Sequence, residues 1–294
     1  MVQSTDSLQV RRSIGSYYRL TKPNIWYLLV FTAMGAMIAA GGLNISLRIA
    51  TLVIVSVSFG SAAANTLTSY IDRDMDAIME RTKNRPIPSG EITPTRAFWF
   101  GLGLALLSII MALAIHPLAA GLMMFGLFDN VVVYSVLLKR RSSWNIILGG
   151  FSGGAPALIG YTAVTGAITL EGILIASLVF VWIPAHIWSL SLRYKDDYSK
   201  VNVPMLPVVI SLPNAIRVIA LSSILLVVFS IALYFIGSFG LAYLATAVIS
   251  GTFVLIKSVQ LVAKPSEENA WNLFKISNPY LAILFVAMMI EAVI

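Results

Sequence analysis

Two short acidic stretches carry the residue types that could do chemistry in this chain. The first, AANTLTSYIDRDMDAIMERTKNRP, sets Asn65, Thr68, Asp72 and Asp76 at spacings of three, four and four, which lines up their oxygens on one stripe of an α-helix. Carboxylates gathered this closely repel one another unless a cation sits among them, so divalent-metal binding is the first reading. Mg²⁺ takes one or two protein carboxylates and completes its octahedron with water and substrate phosphate, a common way to hold a diphosphate. Arg81, Lys83 and Arg85 follow at once, placed to grip phosphoryl oxygens that a metal leaves uncovered. The second stretch, RYKDDYSKVNVPMLP, sets Asp196 and Asp197 among Arg193, Lys195 and Lys200. Adjacent carboxylates do not share a helix face, so one of the two is expected to point at the first motif. Two acidic loops facing one another over a central cavity would hold one diphosphate through two metal ions.

Each feature also has a plainer reading: the acids as a solvated run at a helix end, each cation as an anchor at a membrane surface. A mere surface run, however, does not need Asn65, Thr68 and Ser69 reaching back into an apolar segment. Lys22, before Pro23, and Lys139 with Arg140 face the same choice and gain meaning only together. Tyr134 lies where a phosphate oxygen could accept its hydroxyl, while Asp129 and Asn130 stand in an apolar stretch and need partners. In VWIPAHIWSLS, Pro184 frees a backbone carbonyl and His186 is an intramembrane ionisable group able to bind a metal, contact a tetrapyrrole or bridge helices. The glycines of GGFSGGAPALIG read as close helix packing, because no strand precedes them as a phosphate loop requires.

The elements that must position these groups are membrane helices. The 294 residues are 58% hydrophobic and 11% charged, with mean hydropathy +0.87, whereas soluble domains run near 25% charged. A hydrocarbon core needs roughly 20 apolar residues per helix, and such stretches occur at 24–41, 47–70, 97–115, 118–138, 144–164, 172–192, 215–236, 239–263 and 276–294. The expected fold is therefore all-α and polytopic, nine helices in a single domain over 1–294. With the N-terminus inside and the C-terminus outside, every one of the 20 Lys and Arg except Arg48 falls on one face, as the positive-inside rule demands. The formal charge of +7 thus reads as topology, with the lipid bilayer and not nucleic acid as partner. The inner loops hold Asp72, Asp74, Asp76, Glu80, Glu91, Asp196 and Asp197, seven of the 13 acids. The absence of cysteine excludes disulfides, thiolate metal sites and a cysteine nucleophile. Residues 1–23 hold no apolar run, so no secretory signal is expected.

Several motifs taken in order resemble those of the UbiA-type intramembrane prenyltransferases, and within them the branch that acts on haem. They are LTKPNIW, IDRDMDAIMERTKNRPIPSG, YSVLLKR with NIILGGFSGGAPALIGYTAVTG, WIPAHIWSLSLRYKDDY, VPMLPVV and FKISNPYLAILFVAMM, which together span nearly the whole chain. The resemblance implies nine helices around a lipid-open cavity, with Mg²⁺ and farnesyl diphosphate held at the inner loops and haem B as acceptor. It implies Asp72 and Asp76 as metal ligands, with Lys22, Arg81, Arg85, Lys139 and Tyr134 around the diphosphate. Where the family pattern starts with Asn four residues before the first Asp, this chain has Thr68, and Asn65 stands one turn earlier. In the second motif Arg193 replaces an acid of the quinone-type relatives, which makes Asp197 the expected ligand and leaves Arg193 to meet a haem propionate or the diphosphate. The setting that fits is a prokaryotic plasma membrane with the acidic loops cytoplasmic. Two other readings stay open at this point, a prenyltransferase for an aromatic quinone precursor and a cation or solute transporter.

Overall fold

A computed structural model describes residues 14–294, so Arg11 and Arg12 of the basic set lie outside the described residues. Among the described residues there is no β-strand, and nine helices are long and apolar enough to cross a membrane. They are α1 (Pro23–Gly41), α2 (Leu47–Ile71), α3 (Pro94–Ile115), α4 (Pro117–Leu138), α5 (Asn145–Thr165), α6 (Leu170–Arg193), α7 (Leu212–Ile236), α8 (Leu241–Ala263) and α9 (Glu267–Glu291). At 19 to 25 residues each they reach about 28–38 Å, enough for a hydrocarbon core of about 30 Å. The nine-span all-helical expectation holds, and the chain is an integral membrane protein.

The helix ends follow local chemistry. Ser46, Thr93, Thr169 and Ser266 accept backbone N–H groups from the first turns of α2, α3, α6 and α9, and His116 Nδ1 accepts the Leu118 N–H at 3.1 Å ahead of α4. These side chains satisfy donors that a helix start otherwise leaves orphaned. Helix α9 starts nine residues before the sequence-based boundary at 276. Ser266 caps it and Glu267 and Glu268 sit in its first turn, where the helix dipole favours acids even though apolar residues are sparse.

Helices α1, α2, α4 and α5 enclose one side of the molecule, with α3 against α2; α6, α7, α8 and α9 form the other, joined through α5 on α6 and α9 on α1. Helices α5 and α6 are the most buried. Close approach there requires glycine: a Cβ on Gly160 would run into the Ala33 carbonyl of α1, and one on Gly154 would lie 2.8 Å from the Ala176 carbonyl oxygen of α6. The GGFSGGAPALIG stretch is therefore packing surface at Gly154 and Gly160. Two helices change winding near the charged end. Helix α4 is α-helical over Pro117–Phe128 and winds as a π-helix over Asp129–Leu138, while α5 begins with one turn, Asn145–Leu148, breaks at Gly149 and Gly150 and resumes at Phe151–Thr165.

Candidate functional site

The acidic stripe survives a break in its helix. Helix α2 ends at Ile71 and a short helix, Arg73–Ile78, continues after Asp72. Asp72 N–H donates to the Thr68 carbonyl at 2.9 Å and Asp76 N–H to that of Asp72 at 2.8 Å. The four-residue repeat therefore runs through the joint, and Asn65, Thr68, Asp72 and Asp76 all line one chamber of about 320 Å³. Lys22, Arg81, Arg85, Tyr134 and Lys139 line it as well, with apolar walls from Ile183, Ile187 and Leu190 of α6.

Asp72 and Asp76 are 2% and 4% exposed, so their charges need partners close by. Lys139 pairs with Asp72 Oδ2, and Arg85 Nη1 donates to both oxygens of Asp76 at 2.9 and 2.8 Å. Desolvation opposes the charge on Lys139, but Tyr134 and Asp72 hold its ammonium above the ordinary lysine value. Lys22 carries left-handed backbone, φ +53° and ψ +64°, a strained conformation for a residue with a side chain. Desolvation, then the neighbouring charge of Arg85, pull its ammonium down to about 7. Gly149 makes room for Tyr134, since a Cβ there would stand 2.5 Å from the tyrosine Cβ. The π-winding closes the Lys139 N–H on the Tyr134 carbonyl at 2.7 Å and sets the ammonium 5.6 Å from the ring centre.

Asp72 Oδ1 is buried and accepts no hydrogen bond from the protein. A buried carboxylate oxygen without a donor is where a cation belongs, and the hard oxygens of Asp72 and Asp76 beside Thr68 suit Mg²⁺. Among the described residues no third acid or histidine joins the pair, which matches an ion that draws its remaining ligands from water and phosphate. Asn65 lies seven residues up α2 from Asp72, about 10 Å along the axis, and lines the same chamber. Its Nδ2 is buried without a partner, at the chamber's inner end.

The second acidic motif departs from the expected arrangement. Asp196 is exposed, and Asp197 accepts the backbone N–H groups of Glu80 and Arg81 at 3.3 and 3.1 Å, with Lys200 3.8 Å away. Neither lines the chamber. Asp197 instead fixes the backbone that aims Arg81, whose guanidinium donates to Tyr198 Oη at 3.2 Å and lies 5.2 Å from the Tyr194 ring centre. Tyr198, a lining residue that motif reading passed over, was visible only as the aromatic next to the second acid pair.

Four more expected substrate contacts lie off the chamber lining. Lys83 is exposed and pairs with Glu80 at 2.5 Å. Arg140 makes a two-pronged bond to Asp74 at 2.7 and 2.6 Å, which holds the Asp74 carboxyl below and the Arg140 guanidinium above their ordinary values. Arg193 pairs with Glu267 and ties α6 to the start of α9. His186 is stacked between Trp182 and Phe274, ring centres 4.2 Å away on each side, with Nδ1 2.7 Å from Ser277 Oγ. Asp129 accepts the Ser152 N–H at 2.8 Å, so its partner is the restart of α5.

Residues 28–285 match the model of the UbiA prenyltransferase family. The chain belongs to this family. It is 51% identical over 297 aligned residues to protoheme IX farnesyltransferase 2 of Cenarchaeum symbiosum, covering 95% of this chain and 96% of that one. Among solved structures of the fold, a digeranylgeranylglyceryl phosphate synthase superposes with a TM-score of 0.78 at 20% identity, over 96% of this chain and 99% of the other. A UbiA homologue from Archaeoglobus fulgidus bound to GPP and Mg²⁺ does so with 0.65 at 17% identity, over 93% and 99%.

Proposed function

We propose that this chain transfers the farnesyl group of farnesyl diphosphate to a vinyl group of protohaem IX (haem B), releasing diphosphate and forming haem O. The observation that carries the reading is one chamber in which two buried carboxylates, one with a free oxygen, are ringed by Lys22, Arg81, Arg85 and Lys139. Such a ring suits an anion of high charge held through a metal. The relative at 51% identity bears the name of the haem-directed activity, and the A. fulgidus homologue binds a prenyl diphosphate together with Mg²⁺.

In this reading Asp72 and Asp76 hold Mg²⁺, which when bound would neutralise charge on the diphosphate. Lys22, Arg81 and Arg85 bind and orient the phosphoryl oxygens, while Lys139 and the Tyr134 hydroxyl face the oxygen that leaves carbon 1. As that C–O bond breaks, its electron pair goes to the diphosphate, and these preorganised cations stabilise the growing charge. The vinyl π pair of haem B then forms the new C–C bond to carbon 1. Water adds to the cation left beside the pyrrole and gives up a proton, leaving a hydroxyethylfarnesyl group. The filled ring stack at His186 joins α6 to α9, and in this reading it braces the wall beside which haem B is held. The basic end of the bundle faces the cytoplasm, as the distribution of Lys and Arg favours.

The test is to incubate purified protein with haem B, farnesyl diphosphate and Mg²⁺, with and without chelator, and look for farnesylated haem by mass spectrometry. A metal-dependent haem product is expected. Turnover of only a hydroxybenzoate-type acceptor would overturn the haem assignment while leaving the diphosphate site in place.

A further inference from the structure

Wide helical winding ordinarily occurs as a single turn inside an α-helix, yet on α4, beside the diphosphate chamber, it runs for ten residues, Asp129–Leu138. Ser135, buried within it, donates its hydroxyl to the Asn130 carbonyl at 3.1 Å. A segment this far from ordinary helical geometry needs holding from outside, and the broken start of α5 lies along it in the opposite direction. At one end Asp129 Oδ2 accepts the Ser152 N–H at 2.8 Å. In the middle Tyr134 fills the space that a Gly149 side chain would take. At the other end Asn145 Nδ2 donates to the Lys139 carbonyl at 3.3 Å. As the α4 residues climb through 129, 134 and 139, their partners on α5 descend through 152, 149 and 145.

The two outer contacts exchange groups that a helix end leaves orphaned. Ser152 is the second residue of the restarted helix Phe151–Thr165, and Gly150 before it makes no side-chain cap. A carboxylate from the neighbouring helix therefore does the work of an N-cap residue. The Lys139 carbonyl lies just past the end of α4, where no further turn supplies a donor, and the first turn of α5 meets it with Asn145. Ser152 Oγ donates to the Gly149 carbonyl at 3.0 Å and the Gly149 N–H to the Asn145 carbonyl at 2.9 Å, so both clamps and the glycine seat form one connected chain. Asp129 and Asn145 are buried and neither lines the chamber. What they hold is Tyr134 and Lys139, which do.

We propose that Asp129 and Asn145 are positioning residues, which clamp the wide segment of α4 at its two ends and thereby aim the Tyr134 hydroxyl and the Lys139 ammonium at the diphosphate. This deepens the diphosphate reading above and rests on it. The test is a double-mutant cycle on the Kd of the detergent-solubilised protein for inorganic diphosphate with Mg²⁺, measured by titration calorimetry. Tyr134→Phe, which removes one hydroxyl aimed at the anion, is expected to raise the native Kd at least fivefold. Asp129→Leu is expected to raise it at least fivefold as well, and adding Tyr134→Phe to that variant to change it by less than twofold, because a hydroxyl already turned away has nothing left to lose. Asp129→Asn keeps an oxygen for the Ser152 N–H and is expected to stay within twofold of native. Asn145→Leu must show the same non-additivity with Tyr134→Phe, and takes the place of Asp129→Leu if that variant does not fold. If the losses multiply, so that Tyr134→Phe costs as much in the clamp variants as in the native protein, or if Asp129→Leu binds as the native protein does, the proposal is overturned. The readout needs no haem, so failure of haem transfer leaves it intact, whereas absence of Mg²⁺-dependent diphosphate binding in the native protein would overturn the diphosphate site itself.

Discussion

Replacing Asp72 by Asn alters almost no volume, yet it strips the counter-charge from a lysine held in protein. The side chains of Asp72 and Lys139 are 3% and 17% exposed, so the pair is buried and little discount for solvent applies. Breaking such a pair by removing one partner costs about 3–5 kcal/mol, because the remaining charge stays desolvated. The 17% of the Lys139 side chain left exposed argues for the lower end, about 3 kcal/mol. At about 2–4 °C per kcal/mol for a chain of this size, Asp72→Asn should lower the detergent-solubilised Tm by roughly 6–12 °C. Turnover should fall by about 10²–10³, the scale for losing one preorganised electrostatic group. The decisive comparison is Asp72→Asn with Lys139→Met, in which no charge is stranded. Scanning fluorimetry should show most of the Tm recovered, while product formation followed by mass spectrometry stays lost. If the double variant regained turnover, Asp72 would serve only to neutralise Lys139; if the single variant kept its Tm and activity, the buried ion pair would not exist as described.

Three other outcomes are expected. Lys22, with its ammonium pulled down to about 7, is charged below that pH, and an anion bound beside it raises its pKa again. Affinity for the diphosphate should therefore be strongest below pH 7 and weaken by up to tenfold per unit above it, whereas in Lys22→Arg the residue stays charged; Kd measured from pH 6 to 9 in both proteins checks this. A methyl on Gly160 must push α1 from α5, so Gly160→Ala should cost about 1–3 kcal/mol by overpacking, whereas Gly121→Ala, which meets nothing within 4 Å, should leave the Tm unchanged. His186→Ala removes the ring between Trp182 and Phe274 and should raise the KM for haem B more than the Kd for the diphosphate; equal losses in both would make His186 a packing residue.

The reach of sequence reasoning can be followed residue by residue. The spans were legible because apolar length is a bulk property, and Asp72 and Asp76 because four-residue spacing is the same rule a helix obeys. The same rule places Asn65 on the stripe two turns up from Asp72, and the chamber lining includes it. The second motif was read as metal-binding from composition, whereas Asp197 is spent on the amides of Glu80 and Arg81. Whether an acid meets a metal or a backbone N–H depends on which loop is docked beside it, and that contact crosses more than a hundred residues of chain. Lys83, Arg140 and Arg193 looked like phosphate ligands for the same reason: a cation next to a motif in sequence pairs with the nearest available acid in space.

The wide winding of α4 has a bearing on how the chain tolerates changes of length. Tyr134 and Lys139 are five residues apart, which in an α-helix would leave them about 140° apart around the axis. The i→i+5 bond between them brings both to the chamber, so an odd residue is absorbed at that point and not passed along the chain. Deleting one residue between them would give a spacing of four, which an ordinary α-helix also stacks on one face. The segment thus works as a slip joint, able to lose one position without turning its two working side chains away from each other.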